Sequence, residues 1–223
     1  RYRWNQGVPI VVRGPCGGGV RGGPFHSQNP EAYFFHTPGL KIVEPATPSD
    51  AKGLIKAAIR DDDPVLFFEH KFLYRRIKED VADGDWIVPL GKARVARTGS
   101  DATVVTYGAM VHTALGAAEK LAGDGVSLEV IDLRTLLPLD EETLLNSVAK
   151  TNRVIILHED TLTGGLGGEL SALITERSFE YLDAPPIRVA APDTPVPYSP
   201  TLEDAFLPNQ ERLIKAARWL LKY

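Results

Sequence analysis

Three features of the sequence predict an α/β fold with parallel sheets. Over the second half of the chain each apolar strand-like run is followed by a helical stripe, the order a doubly wound parallel sheet requires. The run Pro64-Val-Leu-Phe-Phe68 has no polar interruption, as in a strand buried on both faces. A glycine-rich loop follows the first apolar run. The 223 residues suffice for one large domain or two modest ones.

Composition narrows the function. Hydrophobic residues make up 43 % and charged residues 24 %, the balance of an ordinary globular protein. The net charge is −4 and the lysines and arginines are scattered, so no basic field is gathered for nucleic acid. No apolar stretch reaches the ~20 residues that cross a bilayer and no signal-peptide pattern is present, so no membrane partner is expected and the expected address is cytoplasmic. Cys16 is the one cysteine, which excludes an internal disulfide and fits a reducing compartment. No base stands beside it in the sequence, so it reads as small filler rather than as a nucleophile.

The chain enters almost at once into an apolar run, Val8-Pro-Ile-Val-Val12, expected to be a buried strand. The next stretch, RGPCGGGVRGGPFHSQNPEAYFFH at 13–36, is the one the rest is arranged around. Its glycines let the backbone turn and let other groups approach it closely. His26-Ser-Gln-Asn29 follows, with Asn29 placed to cap a helix and Pro30 at its first position. Gly17, Gly19 and Gly22 also satisfy G-x-G-x-x-G, with Glu44 near the spacing of a ribose acid. That motif opens directly into a helix, whereas Gly23-Pro-Phe-His26 shows no helical periodicity. A nucleotide-binding α/β protein is therefore the weaker alternative.

Residues 41–43 form a short strand. Thr47-Pro-Ser-Asp50 starts a helix, with Thr47 as cap and Pro48 first, and Leu54, Ile55, Ala58 and Ile59 supply its apolar stripe. Asp61-Asp62-Asp63 at its end opposes the helix dipole. Beside last-turn carbonyls that have no helical partner, these carboxylates make an oxygen-rich corner suited to a hard cation. On the residues alone a solvated turn is favoured. The first part of the chain offers few elements for a closed α/β layer, so either another chain completes its sheet or the chain is a fragment. Residues 71–89 mix both charge signs with Gly84 and read as an inter-domain linker, drawn at 76–89.

Beyond the linker, strands are expected at 102–107, 127–133, 153–158 and 187–190. Between them lie a helix at 111–121 with Leu115, Ala118 and Leu121 inward, a helix capped by Asp140, and a long helix at 167–182. A terminal helix covers 211–222. The loop TLTGGLGG at 161–168 follows a strand, as an anion cradle would, but lacks the Lys-Ser or Lys-Thr of a P-loop. Close helix–strand packing is the better reading. His158 and Glu159 sit at a strand's carboxyl end, where open α/β sheets bind ligands, yet no third group is near and a structural or interface role is favoured. PDTPVPYSP at 192–200 is too rich in proline for regular structure and is expected to lie extended over a surface.

Taken together, VPIVVRGPCGGGVRGG, HSQNPEAYF, PGLKIVEPATPSDAKGLIKAAIRDDDPVLFFE, KFLYR, EVIDLRTLLPLD, HEDTLTGG and APDTPVPYSP carry a likeness that runs nearly end to end. The chain resembles the E1 component β subunit of 2-oxo acid dehydrogenase complexes, of the transketolase-like thiamine-diphosphate superfamily. The resemblance implies the C-terminal part of a pyrimidine-binding domain at 1–75, the linker at 76–89, and a transketolase C-terminal-type open parallel sheet domain at 90–223. It implies an α2β2 heterotetramer in which the α subunit holds diphosphate and Mg2+, and docking to the lipoyl acyltransferase E2. The family's aminopyrimidine-contacting glutamate precedes the VPIVV strand, so no cofactor-binding residue is assigned within these 223 residues. A non-catalytic fragment kept for dimerisation and E2 docking is the alternative.

Residue by residue, His26 matches the family's active-site histidine before Ser-Gln. Passing an acyl group to a lipoyl disulfide requires a proton on the departing sulfur, and an imidazole titrates in the right range to give it. His36, on the following helix, is expected to pack. Ile10, Ala58, Ile59, Asp61 and Asp63 match the family's K+ site, mostly through backbone carbonyls, and this reverses the preference for a solvated turn. Asp63 departs from the asparagine often found there. The stretches at 34–37 and 71–75 look closer to branched-chain enzymes than to pyruvate dehydrogenases, which favours a branched-chain 2-oxo acid as substrate.

Overall fold

The structure, a computed structural model, describes residues 7–223. Its elements in order are β1 (Val11–Cys16), α1 (Gly23–His26), α2 (Glu31–Phe35), β2 (Lys41–Val43), α3 (Pro48–Ile59) and β3 (Val65–His70). After a 3-10 turn at Lys71–Arg75 come β4 (Arg94–Arg97), β5 (Ala102–Thr106), α4 (Met110–Ala122), β6 (Leu128–Asp132), β7 (Thr135–Leu137) and α5 (Glu141–Thr151). The chain closes with β8 (Val154–Thr161), α6 (Leu166–Ser178), β9 (Ile187–Ala191), α7 (Pro200–Phe206) and α8 (Gln210–Leu220). Among the described residues no helix is long and apolar enough to cross a membrane.

Two sheets form. The first is four-stranded in the order β1-β3-β2-β7, the second five-stranded in the order β4-β6-β5-β8-β9. Parallel pairing dominates both, with β1 on β3 in register from Val11↔Val65 to Cys16↔His70. The expectation of a purely parallel sheet needs correction at two edges, because β4 pairs antiparallel with β6 and β7 antiparallel with β2. Both strands are short and lack an apolar run that would mark them. Their pairing comes from tertiary contact. β7 is contributed by the second half of the chain, so one edge of the first sheet is built from the second domain.

The first strand also shifts. It was expected at 8–12 but runs Val11–Cys16 through Gly14 and Pro15, residues that weaken a strand by propensity. β1 lies at the sheet edge, where a missing proline N–H is tolerated, and its length is set by β3. The helix after HSQN starts at Glu31, with Pro30 in the capping position rather than first in the helix. Asn29 makes no cap because its side chain bonds Glu159 instead. The glycine loop does end in a helical turn, α1, which the sequence pattern did not announce. The proline-rich stretch is extended only up to Ser199, and Pro200 then opens α7.

Other local signals act as read. Thr47 Oγ1 accepts from the Asp50 N–H, and Asp140 accepts from the Thr143 N–H, each closing a helix start. The 71–89 stretch is less free than a linker suggests. Lys56 of α3 and Arg60 just past its end pair with Asp85, and Val88 is buried against Gly53.

The seam between the two sheets is apolar. Ile42, Leu66, Phe68 and Leu136 of the first sheet share one core with Ile131 and Ile156 of the second and with Leu170 of α6. Asp50 adds a polar tie, 3.1 Å from Arg134 and 3.3 Å from Arg94. A seam of this kind fixes the two halves against each other.

Candidate active-site loop and its supports

The loop after β1 carries His26, and its shape follows from what surrounds it. Gly17 and Gly19 take positive φ of 83° and 76°, a region open to glycine at little cost. A side chain at Gly17 would collide with the His70 ring, so glycine there also permits close approach. The Gly17 N–H donates to the Gln28 carbonyl at 3.1 Å, bringing the two ends of the loop together.

Three further N–H groups of the loop are taken by carboxylates of the second domain. Gly18 donates to Glu159 Oε1 at 2.5 Å. Gly19 donates to Glu203 Oε1 at 3.1 Å, and the Arg21 N–H to both Glu203 oxygens at 3.3 Å. Arg21 Nη1 reaches Glu203 Oε2 at 2.7 Å. These donors would cradle a phosphate if they were free. They are spent on internal carboxylates, so the loop does not fit a diphosphate. Glu44 is buried as well, which removes the ribose acid and with it the nucleotide-binding alternative.

Glu159 anchors a second contact. His70 Nε2 donates to its Oε2 at 2.9 Å across the seam. Burial pushes the Glu159 carboxyl up, but His70, the Gly18 N–H and Asn29 together outweigh that and hold it below its ordinary value. Its neighbours behave oppositely. Burial first, then the charge of Asp160, pushes Glu31 up to about 8. Burial and then Glu31 drive Glu44 well above the usual range. Burial and these acids also raise Cys16, which is fully enclosed and remains a thiol. This supplies the physical reason for reading it as filler. His158 is likewise buried, and burial lowers it to about 4, so it stays neutral under α6.

His26 itself is exposed at the C-terminal end of α1. Its backbone carbonyl accepts from the Lys71 ammonium, and Ser27 Oγ accepts from the Gly22 N–H at 3.0 Å. The imidazole thus stands on a tied backbone and faces outward. Ser27, Gln28 and Asn29 line a cavity of about 460 Å3 together with Asp160 and Asp193. His36, expected to pack, is exposed, because α2 ends at Phe35 and the chain turns away.

The proposed cation corner lies at the other end of the first sheet, before β1 and β3 begin. The Ile10 carbonyl accepts from the Val65 N–H, and the Ala58 carbonyl from the Arg60 and Asp61 N–H groups. Ile59 is exposed. Lys41 sets its ammonium 2.7 and 2.6 Å from the two Asp61 oxygens and 3.5 Å from Asp63. Among the described residues no group of three or more His, Cys, Asp or Glu side chains is arranged to hold a metal ion. The sequence residues therefore fall into two clusters, Ile10, Ala58, Asp61 and Asp63 at one end and His26 at the other. Glu159 and Glu203, which hold the His26 loop, were not recognised as doing so from the sequence. Only Glu159's place at a strand end hinted at a role.

Comparison with known proteins agrees with this architecture. The transketolase pyrimidine-binding domain matches residues 1–76, and the transketolase C-terminal domain matches residues 91–213. The 2-oxoisovalerate dehydrogenase subunit beta of Bacillus subtilis is 52 % identical over 100 % of this chain and 69 % of its own length. The pyruvate dehydrogenase E1 component subunit beta of the same organism is 45 % identical over 99 % of this chain and 67 % of its own. A split-gene transketolase, solved as an inactive beta4 tetramer, shares the fold with a TM-score of 0.78 at 24 % identity, over 97 % of this chain and 67 % of that one. The chain thus spans about two thirds of the length of these relatives. Subunits of this kind are thiamine-diphosphate dependent and stand beside an α subunit. By these matches, and by its two sheets with the glycine loop between them, the chain belongs to the family of E1 β subunits of 2-oxo acid dehydrogenases.

Proposed function

We propose that this chain serves the E1 component of a 2-oxo acid dehydrogenase complex, with His26 as the acid that completes acyl transfer to the lipoyl group of E2. The observation that carries this reading is the exposed imidazole on a loop whose backbone is tied on both sides. When bound, thiamine diphosphate supplies the thiazolium on which a 2-oxo acid loses carbon dioxide. The chain's own task is proton delivery. A disulfide opened by acyl transfer leaves a thiolate, and an imidazolium within reach donates its Nε2 or Nδ1 proton to that sulfur. An outward-facing imidazole suits a sulfur that arrives on a mobile arm of another protein.

The diphosphate and Mg2+ belong with the α subunit in this reading, because the loop amides here are engaged. The assembly is an α2β2 heterotetramer, and the address is cytoplasmic. The substrate is a branched-chain 2-oxo acid. The higher identity to the 2-oxoisovalerate relative than to the pyruvate relative supports that choice. We divide the chain at 76–89, between the two family matches. K+ is held at Ile10, Ala58, Ile59, Asp61 and Asp63, mostly by backbone carbonyls, and it pins β1 to the end of α3 and through them steadies the His26 loop.

The test is His26→Ala in the assembled E1. Transfer of the acyl group to a lipoyl domain should fall to a trace, while binding of the cofactor, followed by fluorescence quenching, stays unchanged. Transfer at the normal rate would remove His26 from the mechanism.

A further inference from the structure

We propose that Glu203 is a positioning residue for His26, a carboxylate of the C-terminal domain that sets the loop bearing the acid. The proposal rests on the reading of His26 above. Glu203 lies in α7 and is fully buried, yet it belongs to neither the loop nor the first sheet. Its two oxygens receive the Gly19 N–H, the Arg21 N–H and Arg21 Nη1. The same guanidinium also binds the Pro200 carbonyl at 3.0 Å and Asp204 at 2.7 Å. Arg21 is therefore held to both the start and the middle of α7.

The backbone at Arg21 explains why a clamp is needed. Its φ is 61°, a left-handed conformation that a long side chain adopts only when its surroundings impose it. Glu203 imposes it by accepting from the Arg21 backbone and side chain together. Immediately downstream, the Gly22 N–H binds Ser27 Oγ and the Ser27 N–H binds the Gly23 carbonyl at 2.9 Å. His26 lies inside that closed turn. Its place in space thus follows from the φ of Arg21, which follows from Glu203.

Charge is part of the device. Glutamine at 203 keeps the volume but offers one neutral oxygen and one NH2 group to a set of partners that are all donors. One donor then loses its acceptor and the left-handed turn loses its hold. A displacement of about 1 Å at the acid is enough for a loss on the order of 100-fold in the step it serves.

The experiment is a half-reaction comparison in the assembled E1. Glu203→Gln should slow acyl transfer to a lipoyl domain by about 100-fold, and leave carbon dioxide release, driven by a soluble dye as oxidant, within about twofold. Glu203→Asp should recover part of the transfer. In the His26→Ala background Glu203→Gln should add no further loss, since a positioning role vanishes with the group positioned. Equal loss in both half-reactions, or losses that multiply in the double variant, overturn the proposal. Slow His26→Ala with fast Glu203→Gln overturns the positioning role alone. Normal transfer by His26→Ala overturns the underlying reading and the positioning role with it. Should Glu203→Gln fail to assemble, Arg21→Met removes only the guanidinium. It should slow transfer selectively, and unchanged transfer there counts against Glu203.

Discussion

Tyr107, just past β5, donates its phenolic hydrogen to Glu31 Oε1 at 2.6 Å, joining α2 of the first domain to the second domain. The other Glu31 oxygen is buried without a hydrogen-bond partner. A carboxyl in this setting keeps its proton, because ionising it would bury a charge with one weak partner.

The pH dependence follows. Glu31 is raised from 4.5 to about 8 in the folded chain, chiefly by burial and then by Asp160. Between those values the folded state binds a proton that the unfolded state has released, so stability falls as pH rises across the window. Glu31→Gln abolishes that slope. Relative to the wild type it should gain on the order of 2–4 kcal/mol at alkaline pH and little near the acid end. Urea unfolding at about pH 5 and pH 9 measures it. A variant that loses stability equally at both would show that Glu31 is ionised.

Glu159 should behave in the opposite sense. Its folded value is depressed, so its contribution is present above the unfolded carboxyl range and is lost as pH falls through the folded value. Glu159→Gln removes the acceptor of His70 and weakens that of Gly18. We expect a cost of about 2–4 kcal/mol at neutral pH and a shallower acid limb of the stability curve. An unchanged acid limb would contradict the assignment.

At the corner proposed for K+, Lys41 would compete with the cation. With its ammonium beside Asp61 and Asp63, positive charge is already supplied there. Lys41→Met should therefore raise the benefit of K+ over choline by about 1 kcal/mol or more, a shift of a few degrees in melting temperature. Identical melting in both salts for the variant would dispose of a cation at this corner.

Leu136, in β7, is fully buried in the core common to both sheets. Leu136→Ala should cost about 2–5 kcal/mol. Because β7 pairs with β2, amide exchange should quicken at Ile42 and Val43 more than in β9. Uniform acceleration across both sheets would mean that β7 carries no special role at that edge.

What could be read in the sequence was local. Thr47-Pro48-Asp50 and Asp140-Thr143 mark helix starts because cap and partner are three residues apart. The strand β3 showed as a continuous apolar run, Val65–Phe68, because a parallel strand is buried on both faces. His26 stood out through the Ser-Gln after it and the glycines before it. The supports of that loop did not, because Gly18 and Glu159 are separated by 141 residues and Gly19 and Glu203 by 184. No spacing rule reaches so far. β4 and β7 were missed for a related reason, being short edge strands that pairing creates.

The position of β7 also orders events during synthesis. β2 emerges at residues 41–43 and finds β3 soon afterwards, at Val65–His70. Its other edge waits for Thr135–Leu137. At ~5–20 residues per second, a nascent chain spends several seconds with that edge bare. An exposed edge is a template for a neighbouring chain, and Glu44, next to it, is an acid that folding later encloses. While the edge is open that carboxyl is ionised and hydrated, which discourages a second strand from docking there. In the finished fold the same carboxyl is enclosed, and burial, then Glu31, raises it well above the usual range.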